Sequence, residues 1–288
     1  MVNRRSFVSG ATVGSFLIAN AFGTSGAAIA AQEAQSMATP QATPGARSTP
    51  AASSPTILLV HGAWADGASW SGVISGLSDD GLTIIAPANP LRSLLGDSEY
   101  LASFLASIEG PVLLVGHSYG GAVMSIAAAS APNVVGLVYV AAYALDVGET
   151  LLDIATRFPV ETLNQALRQV PIPGGTADAP AVDVYLDRTL LPSVFAADVD
   201  AATQAVLAAT ERPIAFAAFG EPAPAAAWTS LPSWALVATA DQALGPAVPF
   251  MAQRAGSTVT ELDSSHALPV SHPGAVIEVI RTAVASLA

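Results

Sequence analysis

The chain has 288 residues, enough to bury one large α/β core or two small ones. Its 22 Asp and Glu stand against 10 basic residues, all of them arginine, for a net charge of −12, so no basic track exists to follow a phosphate backbone and nucleic acid is not an expected partner. The absence of cysteine excludes disulfides, thiolate metal sites and cysteine nucleophiles, and the four histidines (His61, His117, His266 and His272) form no H-x-x-x-H pattern that would support a zinc site.

Asn3-Arg4-Arg5-Ser6-Phe7-Val8 opens the chain, an uncharged stretch follows to Gln32, and Ala28-Ile29-Ala30 fits an A-x-A cleavage site. The paired arginines and the mild hydrophobicity resemble a twin-arginine export signal. Residues 1–30 are therefore expected to be a signal peptide and the protein to be exported, periplasmic or extracellular. An uncleaved membrane anchor is the rival reading. The many small and polar residues weaken it, because a spanning helix wants about 20 mostly apolar residues, and no stable anchor is expected after cleavage. Residues 31–55 are rich in Pro, Thr, Ser and Ala with almost no large apolar side chain, and read as an extended, disordered tether.

From Thr56 onward, short aliphatic runs alternate with helical stretches. Strands are expected at 57–60, 83–86, 112–115, 134–140, 234–238 and 258–262. Helices are expected at 68–77, 98–108 and 122–131, between the last two strands, and from about 273 to 286, with Pro273 in the first turn. This alternation implies a mostly parallel sheet of at least six strands with helices on both faces, occupying 56–288. Residues 145–231 break the alternation. They contain no convincing buried strand, but hold helical stretches at 161–168 and 197–209 separated by Pro- and Gly-rich runs. An insertion after the fourth strand sits at the carboxyl edge of the sheet, where ligands of open α/β sheets bind, and so reads as a helical cap rather than a peripheral appendage.

The chemistry-bearing stretch is Leu113-Leu114-Val115-Gly116-His117-Ser118-Tyr119-Gly120-Gly121. Strand, G-x-S-x-G and helix in succession is the context of a nucleophile elbow; the bland alternative is a glycine-rich turn with an incidental serine. A serine hydroxyl needs a base within hydrogen-bond reach, itself held by a third group. His266, after the last strand, is the expected base; His272, at the start of the final helix, is the competitor. Asp241, after the penultimate strand, is the expected acid, with Asp146 and Asp263 as rivals. Two N–H donors must face the developing oxyanion. Tyr119, following the serine at a helix start, supplies one. Ala63 supplies the other, in His61-Gly62-Ala63-Trp64 after the first strand, where Gly62 lets the backbone turn closely. His61 is expected to order that loop, and Trp64, His117, Tyr143 and Leu268 are candidate pocket-lining residues.

These residues, in this order and approximate spacing, resemble the α/β-hydrolase superfamily over residues 56–288, most closely its compact branch of methyl-ester esterases and hydroxynitrile lyases. The resemblance implies the α/β-hydrolase fold, an oxyanion donor at Ala63, a cap over Ser118, and metal-free, cofactor-free acyl transfer on a small-molecule ester. The lyases of that branch use a catalytic lysine, and this chain has none. Carboxylic-ester hydrolysis is therefore the expected activity. Perhydrolase or haloperoxidase-like chemistry, lactone or C–C hydrolysis on the same triad, and a non-catalytic binding homologue are the alternatives.

Overall fold

A computed structural model describes residues 54–176 and 180–288. The expected signal segment, and all but the last two residues of the expected tether, lie outside the described residues. In chain order the elements are β1 (Thr56–Val60), α1 (Ser71–Leu77), β2 (Ile84–Ile85), α2 (Leu94–Leu105), β3 (Val112–His117), α3 (Tyr119–Ala128) and β4 (Val134–Val140). The insertion then carries α4 (Leu151–Arg157), α5 (Glu161–Ala166), β5 (Leu167–Gly175), β6 (Pro180–Leu186), α6 (Leu191–Phe195), α7 (Ala201–Thr210) and β7 (Ile214–Ala215). The chain closes with β8 (Ser233–Ala238), α8 (Ala247–Arg254), β9 (Thr258–Leu262), α9 (Leu268–Ser271) and α10 (Pro273–Leu287).

The main sheet has six strands in the order β2-β1-β3-β4-β8-β9, all parallel. Its central strands read as unbroken apolar runs because both faces are covered. Alternate residues separate into two clusters, as the two-residue period of a strand requires. Leu58, Val60, Leu114, Leu137 and Val237 face α2, α3 and α8. Ile57, Leu59, Leu113, Val115, Val138 and Leu236 face α1 and α10. Helix α10 meets the second cluster with Val276, Ile277, Ile280 and Ala283, a stripe at helical spacing. The edges are blunted: β2 is only two residues long, and β9 carries exposed Thr258, Thr260 and Glu261.

All six expected strands are present. Two helices start earlier than their sequence pattern indicates. Helix α2 begins at Leu94, because the Ser93 hydroxyl accepts the Gly96 N–H at 3.0 Å and caps its first turn. Helix α3 begins at Tyr119 despite two glycines in its first turn. These let it approach the sheet: a Cβ at Gly120 would run into the Val60 carbonyl.

The insertion follows β4 and carries the expected helices, but the expectation that it lacks strands is corrected. Strands β5, β6 and β7 form a three-stranded antiparallel sheet. Pro171 and Pro173 argue against a strand when only sequence is read, yet β5 is an edge strand, where a missing N–H costs no ladder bond on the open side. Buried Val184 and Leu186 of β6, Phe195 of α6 and Ile214 of β7 join the core cluster on the α3 side of the main sheet. No helix among the described residues is long and apolar enough to cross a membrane.

Candidate active site

Ser118 stands between β3 and α3 with φ 52° and ψ −123°, a left-handed backbone that a residue with a Cβ adopts only under constraint. The constraint is visible. Its N–H donates to the Val140 carbonyl at 3.2 Å, and its own carbonyl accepts the N–H groups of Gly121 and Tyr143 at 3.0 and 3.1 Å. A Cβ at Gly116 would come within 2.7 Å of Met124 Sδ, so the elbow closes only around glycine. Likewise a Cβ at Gly62 would lie 2.7 Å from Ser118 Cβ. The loop after β1 thus passes against the serine, bringing Ala63 alongside. Neither the Ala63 nor the Tyr119 amide donates to an acceptor within the described residues.

Strands β8 and β9 are adjacent, and their last residues, Ala238 and Leu262, are paired. The chain leaves both strands at one level, and Asp241 and His266 meet just beyond. His266 Nδ1 donates to Asp241 Oδ2 at 2.7 Å. The other carboxylate oxygen accepts the N–H groups of Ala243 and Leu244 at 2.7 and 2.9 Å. Burial alone pushes the Asp241 carboxyl up, but the His266 charge and hydrogen bond, with the two amides, hold it below its ordinary value. His266 is fully buried, and its Nε2 makes no hydrogen bond, with Ser118 or any other group.

His117 turns its side chain toward His266. Its Nε2 donates to the His266 carbonyl at 2.9 Å, and the two rings lie 4.8 Å apart. Burial, with the neighbouring His266 charge, lowers its pKa to about 3, so the ring is held neutral. His61 orders its loop: Nδ1 donates to the Gly62 carbonyl at 2.9 Å and Nε2 accepts the Asn89 N–H at 3.1 Å. Burial lowers its pKa to about 4. The Tyr119 phenol points away from the serine and donates to the buried Asp97 carboxylate at 2.8 Å, anchoring the elbow to α2.

Trp64, at φ 61°, ties the loop after β1 to the insertion: its backbone N–H donates to the Arg212 carbonyl and its indole N–H to the Val184 carbonyl, at 3.1 and 3.0 Å. Tyr143 is buried beside the elbow through its contact with Ser118. Leu268 lies in the cluster on the α1 and α10 face, packed as core. The rival groups are elsewhere. Asp146 accepts the Val147 N–H in its own loop, Asp263 is exposed, and His272 pairs with Asp198 at 3.1 Å.

Two residues of the insertion reach the site without any signal in the sequence. The Phe195 ring packs edge-on against His266 at 5.0 Å, His117 at 6.0 Å and Trp64 at 6.4 Å, roofing the site. Ser118 is accordingly only 4% exposed. Asp198, three residues on, contacts the segment that carries His266. A cleft of about 450 Å³ opens outside Trp64, between Asp66, Thr203, Leu207 and Pro269, and neither Ser118 nor His266 lines it.

Solved structures with this fold include a pyrethroid hydrolase from Sphingobium faniae JZ-2, at 23% identity and TM-score 0.66, covering 81% of this chain and 98% of that one. Polyneuridine aldehyde esterase aligns at 17% identity and TM-score 0.71, covering 80% and 100%. An extracellular alpha/beta-hydrolase from a Paenibacillus species aligns at 20% identity and TM-score 0.64, covering 80% and 98%. At these identities the likeness is one of fold. A search of curated proteins finds no match. The sequence profile of the alpha/beta hydrolase family matches residues 57–279, from the second residue of β1 through the elbow and the insertion to the first half of α10, and the chain belongs to that family.

Proposed function

We propose that this chain hydrolyses carboxylic esters through Ser118, His266 and Asp241. The observation that carries the reading is the buried Asp241–His266 pair, 2.7 Å apart, whose second imidazole nitrogen makes no hydrogen bond, in the same fold edge as a serine held at φ 52°. Ser118 Oγ attacks the ester carbonyl while His266 Nε2 takes its proton. The Ala63 and Tyr119 amides stabilise the tetrahedral oxyanion, and His266 returns the proton to the leaving alcohol. Water, activated by the same imidazole, then releases the acid from Ser118. Asp241 fixes the tautomer and supports the imidazolium. The aromatic roof of Phe195 and Trp64 favours small to medium, largely apolar esters. Ser118→Ala is expected to abolish hydrolysis of p-nitrophenyl acyl esters, by at least about 10³-fold in kcat. Activity within tenfold of the wild type would remove Ser118 from the mechanism.

A further inference from the structure

Asp198 lies in the insertion, between α6 and α7, yet its hydrogen bonds run to the segment that carries the base. Its Oδ2 accepts the Ser264 hydroxyl at 2.8 Å, the Ser265 backbone N–H at 3.0 Å and His272 Nε2–H at 3.1 Å. Its Oδ1 accepts the Ser265 hydroxyl at 2.5 Å. The Ser265 hydroxyl also lies 3.2 Å from the Phe195 carbonyl. Residues 195–198 are therefore fastened to the residue immediately before His266, while the Phe195 ring rests on the His266 ring. Burial works to raise the Asp198 pKa, but the Ser265 and Ser264 bonds bring it down to about 2, so the acceptor stays charged across the neutral range.

We infer that Asp198 is a positioning residue, a latch that sets the His266 imidazole and the Phe195 roof together. The inference rests on the ester-hydrolase reading above, in which His266 is the base. A carboxylate that accepts three donors from one loop, and a fourth from His272 beyond α9, fixes that loop's backbone more tightly than a neutral acceptor does. Withdrawing it frees Ser265, and with it the main chain on which the imidazole is mounted. The same withdrawal loosens the turn that holds Phe195 down. Base alignment and roof position are thus coupled through a single side chain that touches neither substrate nor the reacting atoms.

The test compares the full chain with Asp198→Ala and Asp198→Asn, using p-nitrophenyl esters of short and long acyl chains. Asp198→Ala is expected to lower kcat for the short ester at least tenfold with KM within about threefold, and to raise the long-to-short ratio of kcat/KM. Asp198→Asn keeps the shape and one acceptor, and is expected to recover at least half of the lost kcat on a logarithmic scale. The His266 Nδ1 proton is also followed by NMR, and its exchange with solvent is expected to quicken at least tenfold in Asp198→Ala. That signal is readable even if the wild type cleaves no ester, a result that would remove the hydrolase reading alone. An unchanged exchange rate, or a fall in melting temperature with kcat and chain-length preference unaltered, overturns the latch.

Discussion

At the scale of single residues, the site depends on side chains whose orientation is fixed by several hydrogen bonds at once. Asp241 illustrates this, with one oxygen on His266 and the other on two backbone amides. Asp241→Asn keeps the shape and the acceptor for Ala243 and Leu244, but offers an amide where His266 Nδ1–H requires an acceptor. The imidazole is then driven toward the wrong tautomer. The expected result is a fall of about 10⁴-fold in kcat, by analogy with the same change in serine proteases, with the cooperative unfolding transition retained. Steady-state kinetics alongside circular dichroism checks it, and a loss under tenfold would contradict the role given to Asp241. The pairing of His266 with Asp241 could be anticipated from sequence because each follows a recognisable strand. Asp198 could not. It stands two residues before Asp200, which caps α7 by accepting the Ala202 and Thr203 N–H groups, and in sequence the two aspartates look alike.

At the scale of elements, α3 and α10 solve the same packing problem differently. Nine of the ten α3 residues are buried, and its small side chains let it lie against the sheet where the elbow needs it. Helix α10 instead buries a stripe of branched side chains against the opposite face. Ile280 is fully buried in that stripe. Ile280→Ala is expected to cost about 2–5 kcal/mol of stability, the range for large-to-small changes in packed cores. It should leave the kcat of the folded enzyme within about twofold, because α10 lies across the sheet from the elbow helix. Urea unfolding and ester turnover on the same sample check both halves. The insertion was legible as an interruption between strands, and α5 and α7 as helical stretches, but α4, α6 and its small sheet were not. Strand β5 is exposed along most of its length and contains two prolines, so its pairing with β6 leaves no apolar alternation to read.

At the scale of the whole molecule, burying two histidines in neutral form links stability to pH. His61 and His117 have pKa values near 4 and 3 in the folded chain, against 6.5 when exposed. The unfolded chain therefore binds protons between these limits that the folded chain does not. Stability is complete above about pH 6.5 and is lost as pH falls toward 4 and 3. For His61 alone the full loss is on the order of 3 kcal/mol. Asp241 has the same sign at lower pH: its folded value lies below 3.8, so its contribution is present above that and disappears as pH drops through the folded value. The urea midpoint is expected to fall steadily from pH 7 to pH 5, with uptake approaching two protons per molecule on unfolding. A midpoint independent of pH over that range would contradict the burial of these two rings as neutral groups.

Sequence alone determined the order along the chain of the six main-sheet strands, the elbow, and the placing of Asp241 and His266 just past strand ends. Each of these depends on short-range pattern: apolar runs for strands buried on both faces, glycines where backbones cross closely, and polar residues just past strand ends. Tertiary structure decided how the parts meet. It paired β8 with β9 so that Asp241 and His266 face each other, and turned Tyr119 outward to Asp97. It also brought Phe195 and Asp198 across some 70 residues of chain to cover His266 and brace the residue before it. Such contacts join segments far apart in the chain, and no local periodicity encodes which distant partner a buried carboxylate or ring will find.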